Sequence, residues 1–171
     1  MKADTELQRA LLEFKKEDMI SFLNSHPECF DEAINLAITE NQPFSWRSAW
    51  LLWSCIEEND ARVRQHIMSI IKSIKNKKDG HQRELIKILS KMELNEEEEG
   101  FVFDICVTLW EKTRSAPSVR YHALLMILKI ADKHPELKNE IAFLLQNHYL
   151  ESLSPGVKNA VGRIAQEVFD V

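Results

Sequence analysis

The chain is poor in the residues that break helices. Four glycines and five prolines in 171 residues leave few positions for tight turns or bulges, and no segment sustains an alternation of β-branched and polar residues, so a sheet is excluded as the main framework. Long apolar runs are also missing, because no stretch reaches the ~20 residues needed to span a bilayer. The first segment, MKADTELQRALLEFKKEDM, is charged throughout and lacks the apolar core of a secretory signal. A cytoplasmic protein is therefore expected. Cys29, Cys55 and Cys106 are scattered without a CxxC pair, which excludes a disulfide framework or a zinc site and predicts reduced, mostly buried thiols. Positive charge is in deficit: 22 Lys and Arg stand against 27 Asp and Glu, a formal net charge of −5. The chain as a whole does not attract polyanions, although a local basic face remains open to it. Neither GxSxG, a glycine-rich phosphate loop, HxxxH nor HExxH occurs, so no catalytic residue, metal ligand or cofactor is assigned.

What the sequence does have is a period. Arg47, Arg83, Arg120 and Lys158 fall 36, 37 and 38 positions apart, each near the start of an amphipathic stretch. A constant spacing of this length marks one supersecondary unit copied along the chain. The basic markers head predicted helices near 44–57, 80–93, 117–133 and 155–169, and each is preceded by another, near 27–40, 60–76, 96–114 and 135–149. Two shorter helices within 4–25 are left to cap the open apolar end. The expectation is an all-α chain of about ten helices in a single domain over 1–171, with a cap at 1–26 and helix pairs at 27–59, 60–94, 95–134 and 135–171. Local punctuation agrees. Pro27 and Pro135 sit at first helical positions, Asn95 precedes Glu96 to Glu99, and Ser154 and Pro155 open the last helix.

Aligning the second helices on their basic residue predicts one buried stripe. It runs through Trp46, Gln82, Val119 and Val157, then Trp50, Ile86, Ala123 and Val161, then Trp53, Leu89, Met126 and Ile164. The first helices match in the same way: Phe30, Ile34 and Ala37 correspond to Val63, Ile67 and Ile70, to Phe101, Ile105 and Leu109, and to Leu137, Ile141 and Leu144. SWRSAWLLWSCI and VRYHALLMILKIA are apolar almost all round, as a central layer would be.

The spacing, the pairing and the recurring SWR, SVR and GVK resemble HEAT repeats over residues 27–169. More narrowly, the order EFKKEDMISFLNSHPECFDEAINLAI, SWRSAWLLW, NEEEEGFVFDICVTLW and PSVRYHALLMILKIADKHPELKNEI resembles a family of small bacterial HEAT-like proteins. Some of these carry the name adenylosuccinate lyase. The lyase's signature loop, similar to SSxMPxKxN, is absent and the chain is too short for that fold's long-helix tetramer, so no such activity is expected. The resemblance implies a right-handed α-α superhelix, a solenoid, acting as a non-catalytic interaction module that takes a protein or peptide on its concave face. The alternative it offers is a nucleic-acid-binding protein of the HEAT-like DNA glycosylase type. That reading needs Arg47, Arg83, Arg120 and the tryptophans exposed together, and the net charge opposes it. A third option is a homo-oligomer formed through the end helix SPGVKNAVGRIAQEVF.

Two roles are open to the basic row. It is either a ladder, each cation pairing with an acid or carbonyl at a neighbouring turn, or a line of cations for an acidic peptide or phosphate backbone, flanked by Ser48, Glu84, Tyr121 and Asn159. Trp46, Trp50 and Trp53 likewise form either a core stripe or an aromatic stacking platform. HPE occurs at His26 and His134, with each Glu in a first helical turn where the dipole favours an acid. Lys72, Lys75, Lys77 and Lys78 gather at a helix end as a further candidate for an anion.

Overall fold

The computed structural model describes residues 3–169. It is all-α, with no strand among the described residues. Two compact units divide the chain, Met1–Glu98 and Glu99–Val171. The first holds α1 (Glu6–Glu13), α2 (Lys16–Ser25), α3 (Phe30–Ile38), α4 (Phe44–Cys55), α5 (Ala61–Arg64), α6 (Ile67–Ser73) and α7 (Asp79–Ser90). The second begins within α8 (Glu96–Glu111) and continues through α9 (Pro117–Ala131), α10 (Lys138–Leu144), α11 (Asn147–Leu150) and α12 (Pro155–Phe169). Short 3-10 turns occur at Pro27–Cys29, Ile74–Asn76 and Pro135–Leu137.

The predicted second helices are continuous, and Thr39 to Pro43 stays outside any helix. Two of the first helices are broken. Residues 60–76 divide into α5 and α6, and residues 135–149 into α10 and α11. Local capping sets several of the ends. Thr5 accepts from the Gln8 amide at 3.1 Å before α1, and Asp60 accepts from the Arg62 amide at 3.0 Å before α5. At α8 the Asn95 side chain accepts from the Glu98 amide while Glu98 accepts from the Asn95 amide, both at 2.9 Å. This is a reciprocal capping box.

In unit 1, α4 packs on α3 on one side and on α7 on the other. Phe44, Ser45, Ser48, Ala49, Leu51 and Leu52 are its buried residues. The tryptophans are not among them. Ser48 lies about 200° round the helix from Trp46, so the core face is opposite the stripe expected from sequence. Small residues explain the reversal: Ser48 donates to the Ala33 carbonyl at 2.9 Å, an approach of α3 and α4 that a tryptophan at that face would prevent. In α7 and α9 the expected stripe is inside, at Gln82, Ile86 and Leu89 and at Val119, Ala123 and Met126. In α8 Ile105 and Leu109 are buried as expected, but at the start of the stripe Val102 is buried in place of Phe101, which is 47% exposed.

Helix ends pose a problem that the glycine shortage sharpens. The last carbonyls of a helix have no partner within it, and a glycine of positive φ is the usual cap. Among the described residues no glycine has positive φ. Side chains from neighbouring helices supply the donors instead. His81 Nε2 donates to the Ala37 carbonyl at 2.7 Å, and Lys77 to that of Thr39 at 2.6 Å, past the end of α3. Burial and the nearby Lys77 hold the His81 pKa down against the pull of that bond, consistent with a neutral ring. Gln82 covers Ile74 at 2.9 Å. Lys91 covers Trp53 at 3.2 Å and Ile56 at 2.8 Å at the end of α4.

Unit 2 uses one guanidinium for two ends. Arg120 has 0% exposure, and it donates through Nε to the Trp110 carbonyl at 2.8 Å and through Nη2 to the Tyr149 carbonyl at 2.6 Å. Nη1 reaches Ser152 Oγ at 2.7 Å. Trp110, also buried, donates its indole N–H to Leu144 at 2.8 Å, the end of α10. Arg120→Met keeps the length and removes every donor. With two buried carbonyls stranded at about 1–3 kcal/mol each, it is expected to lower stability by about 3 kcal/mol, read as a fall in the urea midpoint by circular dichroism.

Candidate functional site

Three tryptophans of α4, at steps of four and three residues, share the face that α3 leaves uncovered. On α7 and at the residue that caps its end, Arg83, Lys87 and Lys91 recur at steps of four, which puts three cations on one side. The two stripes meet. Lys87 Nζ lies 3.4 Å from the centroid of the Trp53 ring and Lys91 Nζ 5.3 Å from it, a cation–π arrangement. Beneath them Glu84 is fully buried. Its carboxylate accepts from Arg83 Nε at 2.9 Å and Nη2 at 2.6 Å, and from Lys87 Nζ at 2.8 Å. A buried carboxylate is tolerable when cations neutralise it and fill its lone pairs.

Towards the start of α4 the same face opens into a cavity of about 240 Å³ lined by Lys16, Met19, Trp46, Arg47, Trp50 and Arg83. Lys16 Nζ stands 5.5 Å from the Trp50 centroid. Trp46 is 39% exposed. Arg47 Nη2 points at Met19 Sδ, 3.7 Å away, a weak acceptor. Its Nε–H is buried and has no hydrogen-bond partner. Neither Lys16 nor Arg47 forms an ion pair among the described residues.

The basic row thus serves several ends. Arg47 and Arg83 line one cavity in unit 1, Arg120 is sealed in the core of unit 2, and Lys158 is exposed on α12. A ladder of the expected kind, cation to neighbouring carbonyl, is realised at Arg120. Ser48 and Glu84, expected beside the row on a ligand face, are buried; Tyr121 is half-buried, with its ring 5.7 Å from that of His122. Asn159 is exposed. Trp46, Trp50 and Trp53 come together with the cations, outside the core. Lys16, Met19, Lys87 and Lys91 were not legible as site residues from the repeat frame. The step of four on α7 was the available signal, running along a helix where the frame looked across helices. Lys77, from the lysine group at residues 72–78, is only 3% exposed at its side chain and also pairs with Glu40.

A family model described as a HEAT repeat domain matches residues 3–168. The chain belongs to the HEAT repeat domain family. No curated protein and no solved structure matches it. As a HEAT repeat protein it is a helical repeat scaffold, and among its described residues no helix is long and apolar enough to cross a membrane.

The other chemical groups of this HEAT repeat protein are held in place by neighbours. Burial raises the Cys55 pKa to about 11 and pushes the Cys106 and Cys29 thiols up as well, so all three resist forming the reactive thiolate. The two HPE copies diverge. His26 stacks on Phe22 at 4.2 Å, whereas His134 reaches Glu99 Oε2 at 2.8 Å and Glu136 Oε1 at 3.5 Å. Lys133 completes the group with Nζ 2.6 Å from Glu99 Oε1. The hydrogen bond to Glu99 raises the His134 pKa above its ordinary 6.5. Burial opposes ionisation of Glu99, but the bonds from Lys133 and His134 prevail and hold its carboxyl below the usual 4.5. Stability from His134 is therefore complete below about pH 6.5 and lost as pH rises through the raised value; that from Glu99 is lost as pH falls through its lowered one. The urea-midpoint difference between the natural protein and His134→Gln should be largest near pH 5.5 and shrink by pH 8. A difference independent of pH would show that the imidazolium makes no contribution.

Proposed function

We propose that this HEAT repeat protein is a non-catalytic, cytoplasmic interaction module that holds a segment of a partner protein on the α4–α7 face of unit 1. One observation carries the reading: exposed Trp46 and half-buried Trp50 interleave with Lys16, Arg47 and Arg83 around an open cavity. Tryptophan and arginine dominate the energetics of protein interfaces, because a large rigid ring and a planar donor fork give much contact for little conformational entropy. Three cations on the lining favour an acidic segment and would speed its encounter. Second helices are also where the repeat frame puts the binding face.

The DNA glycosylase type of reading has less support. It needs Arg47, Arg83 and Arg120 displayed together with the tryptophans, but Arg120 spends its donors on the carbonyls of Trp110 and Tyr149 with no exposure. Selection from a random peptide library displayed on phage should enrich acidic sequences bearing an apolar residue. Trp46→Ala should weaken the best of them roughly 10-fold or more, a hot-spot effect, without moving the thermal midpoint. If no peptide is enriched, and duplex or single-stranded oligonucleotides bind in a manner that Trp46→Ala abolishes, the nucleic-acid reading replaces this one.

A further inference from the structure

We infer that the cavity between α2, α4 and α7 is a subsite for a phosphorylated side chain of the partner segment, a phosphomonoester dianion gripped by Arg47 and Lys16. This deepens the reading above and rests on it. Charge is the first argument. Lys16, Arg47 and Arg83 line the cavity with no carboxylate among the lining residues, and Glu84, next to Arg83 in sequence, is committed inside the core to Arg83 and Lys87. One incoming carboxylate would leave Lys16 and Arg47 incompletely neutralised. A dianion answers both.

Geometry is the second argument. Among the described residues the Arg47 guanidinium has no oxygen acceptor: its Nε–H is shut off from solvent without one, and Nη2 meets only a sulfur at 3.7 Å, so the fork left for an incoming anion is the terminal Nη1–Nη2 pair. Buried polar groups are normally satisfied, and a charged one left open asks for a strong acceptor. A guanidinium offers parallel N–H bonds matched to two oxygens of one phosphate, whereas an ammonium acts as a point charge. Lys16, placed over Trp50, supplies the latter. Phosphate carries about −1.5 to −2 charge at neutral pH and three acceptor oxygens, which fits one fork and one ammonium.

Size is the third. At about 240 Å³ the cavity falls below the ~300–1,000 Å³ of pockets that enclose small-molecule ligands. It has the scale of one side chain, with Trp46 and Trp50 as apolar walls for its methylene and the residue beside it.

The test uses the full chain and three oriented peptide libraries, identical except for phosphoserine, glutamate or serine fixed at the central position. The phosphoserine library should be retained at least roughly 10-fold over the glutamate one. In fluorescence anisotropy with the best phosphopeptide, Arg47→Gln and Lys16→Gln should each weaken binding roughly 10-fold or more. Arg47→Lys keeps the charge without the fork and should lose most of the preference for phosphoserine over glutamate. Thermal melts of all variants establish that they are folded. Equal retention of the phosphoserine and glutamate libraries overturns this inference and leaves the acidic-segment reading standing; retention of neither removes both. Inorganic phosphate binding as tightly as the phosphopeptide would reveal a free-phosphate site, and a single-stranded oligonucleotide binding more tightly would make the site one for nucleic acid. Unchanged phosphopeptide affinity in folded Arg47→Gln would place the phosphate elsewhere. Each of these three results overturns the proposal.

Discussion

Every helix leaves its last carbonyls without an internal partner, and a chain built from short helices with almost no glycine faces that deficit repeatedly. Here the second helix of a pair meets the need of its neighbours. His81 serves α3, Gln82 the turn after α6, and Lys91 the end of α4, all from α7 or the residue after it. In unit 2, Arg120 serves α8 and α11 together. Apolar contacts alone would let helices rotate or slide against one another, because hydrophobic attraction is non-directional. These charged and amide donors are directional, so they fix the rotation of each second helix and with it the residues that face outward.

On α7 that rotation places Glu84 inside and the stripe of Arg83, Lys87 and Lys91 beside the tryptophans. The buried carboxylate ties down two of the three cations, and Lys87, so held, lies against the ring of Trp53. Organisation at the surface therefore begins below it. Among the described residues Arg47, unlike Arg83 and Arg120, bonds to neither an acid nor a carbonyl, which is why its position in the repeat translates into a cavity lining and not into a structural bond.

Helix pairs, the capping pair and the all-α class were legible because period and end signals are local. Asn95 announces α8 through its own reciprocal bonds with Glu98, and Pro117 and Pro155 stand at the first turns of α9 and α12. Orientation was less legible. Bulk suggested that Trp46, Trp50 and Trp53 lie inside, yet the close approach of α3 and α4 at Ala33 and Ser48 admits small side chains only. Hydrophobicity ranks what would gain from burial; it does not say which face has room. The roles of Arg47 and Arg120 were inseparable by alignment for a related reason. Their partners are backbone carbonyls and a serine hydroxyl for Arg120 and a methionine sulfur for Arg47, supplied by other helices and turns far along the chain.

Capping from a neighbour also bears on how such a chain can be recombined. His81 belongs to one helix pair and satisfies the first helix of the pair before it; Lys91 does the same for α4. Cutting at the sequence repeat boundary and transplanting a pair would separate donors from acceptors on both sides of the junction. The His81–Ala37 bond spans 44 residues and the Lys91–Ile56 bond 35, against a spacing of 36 to 38 between the basic markers, so no module one repeat long keeps both. Two consecutive pairs moved together, 27–94, would carry these carbonyls along with the side chains that close them.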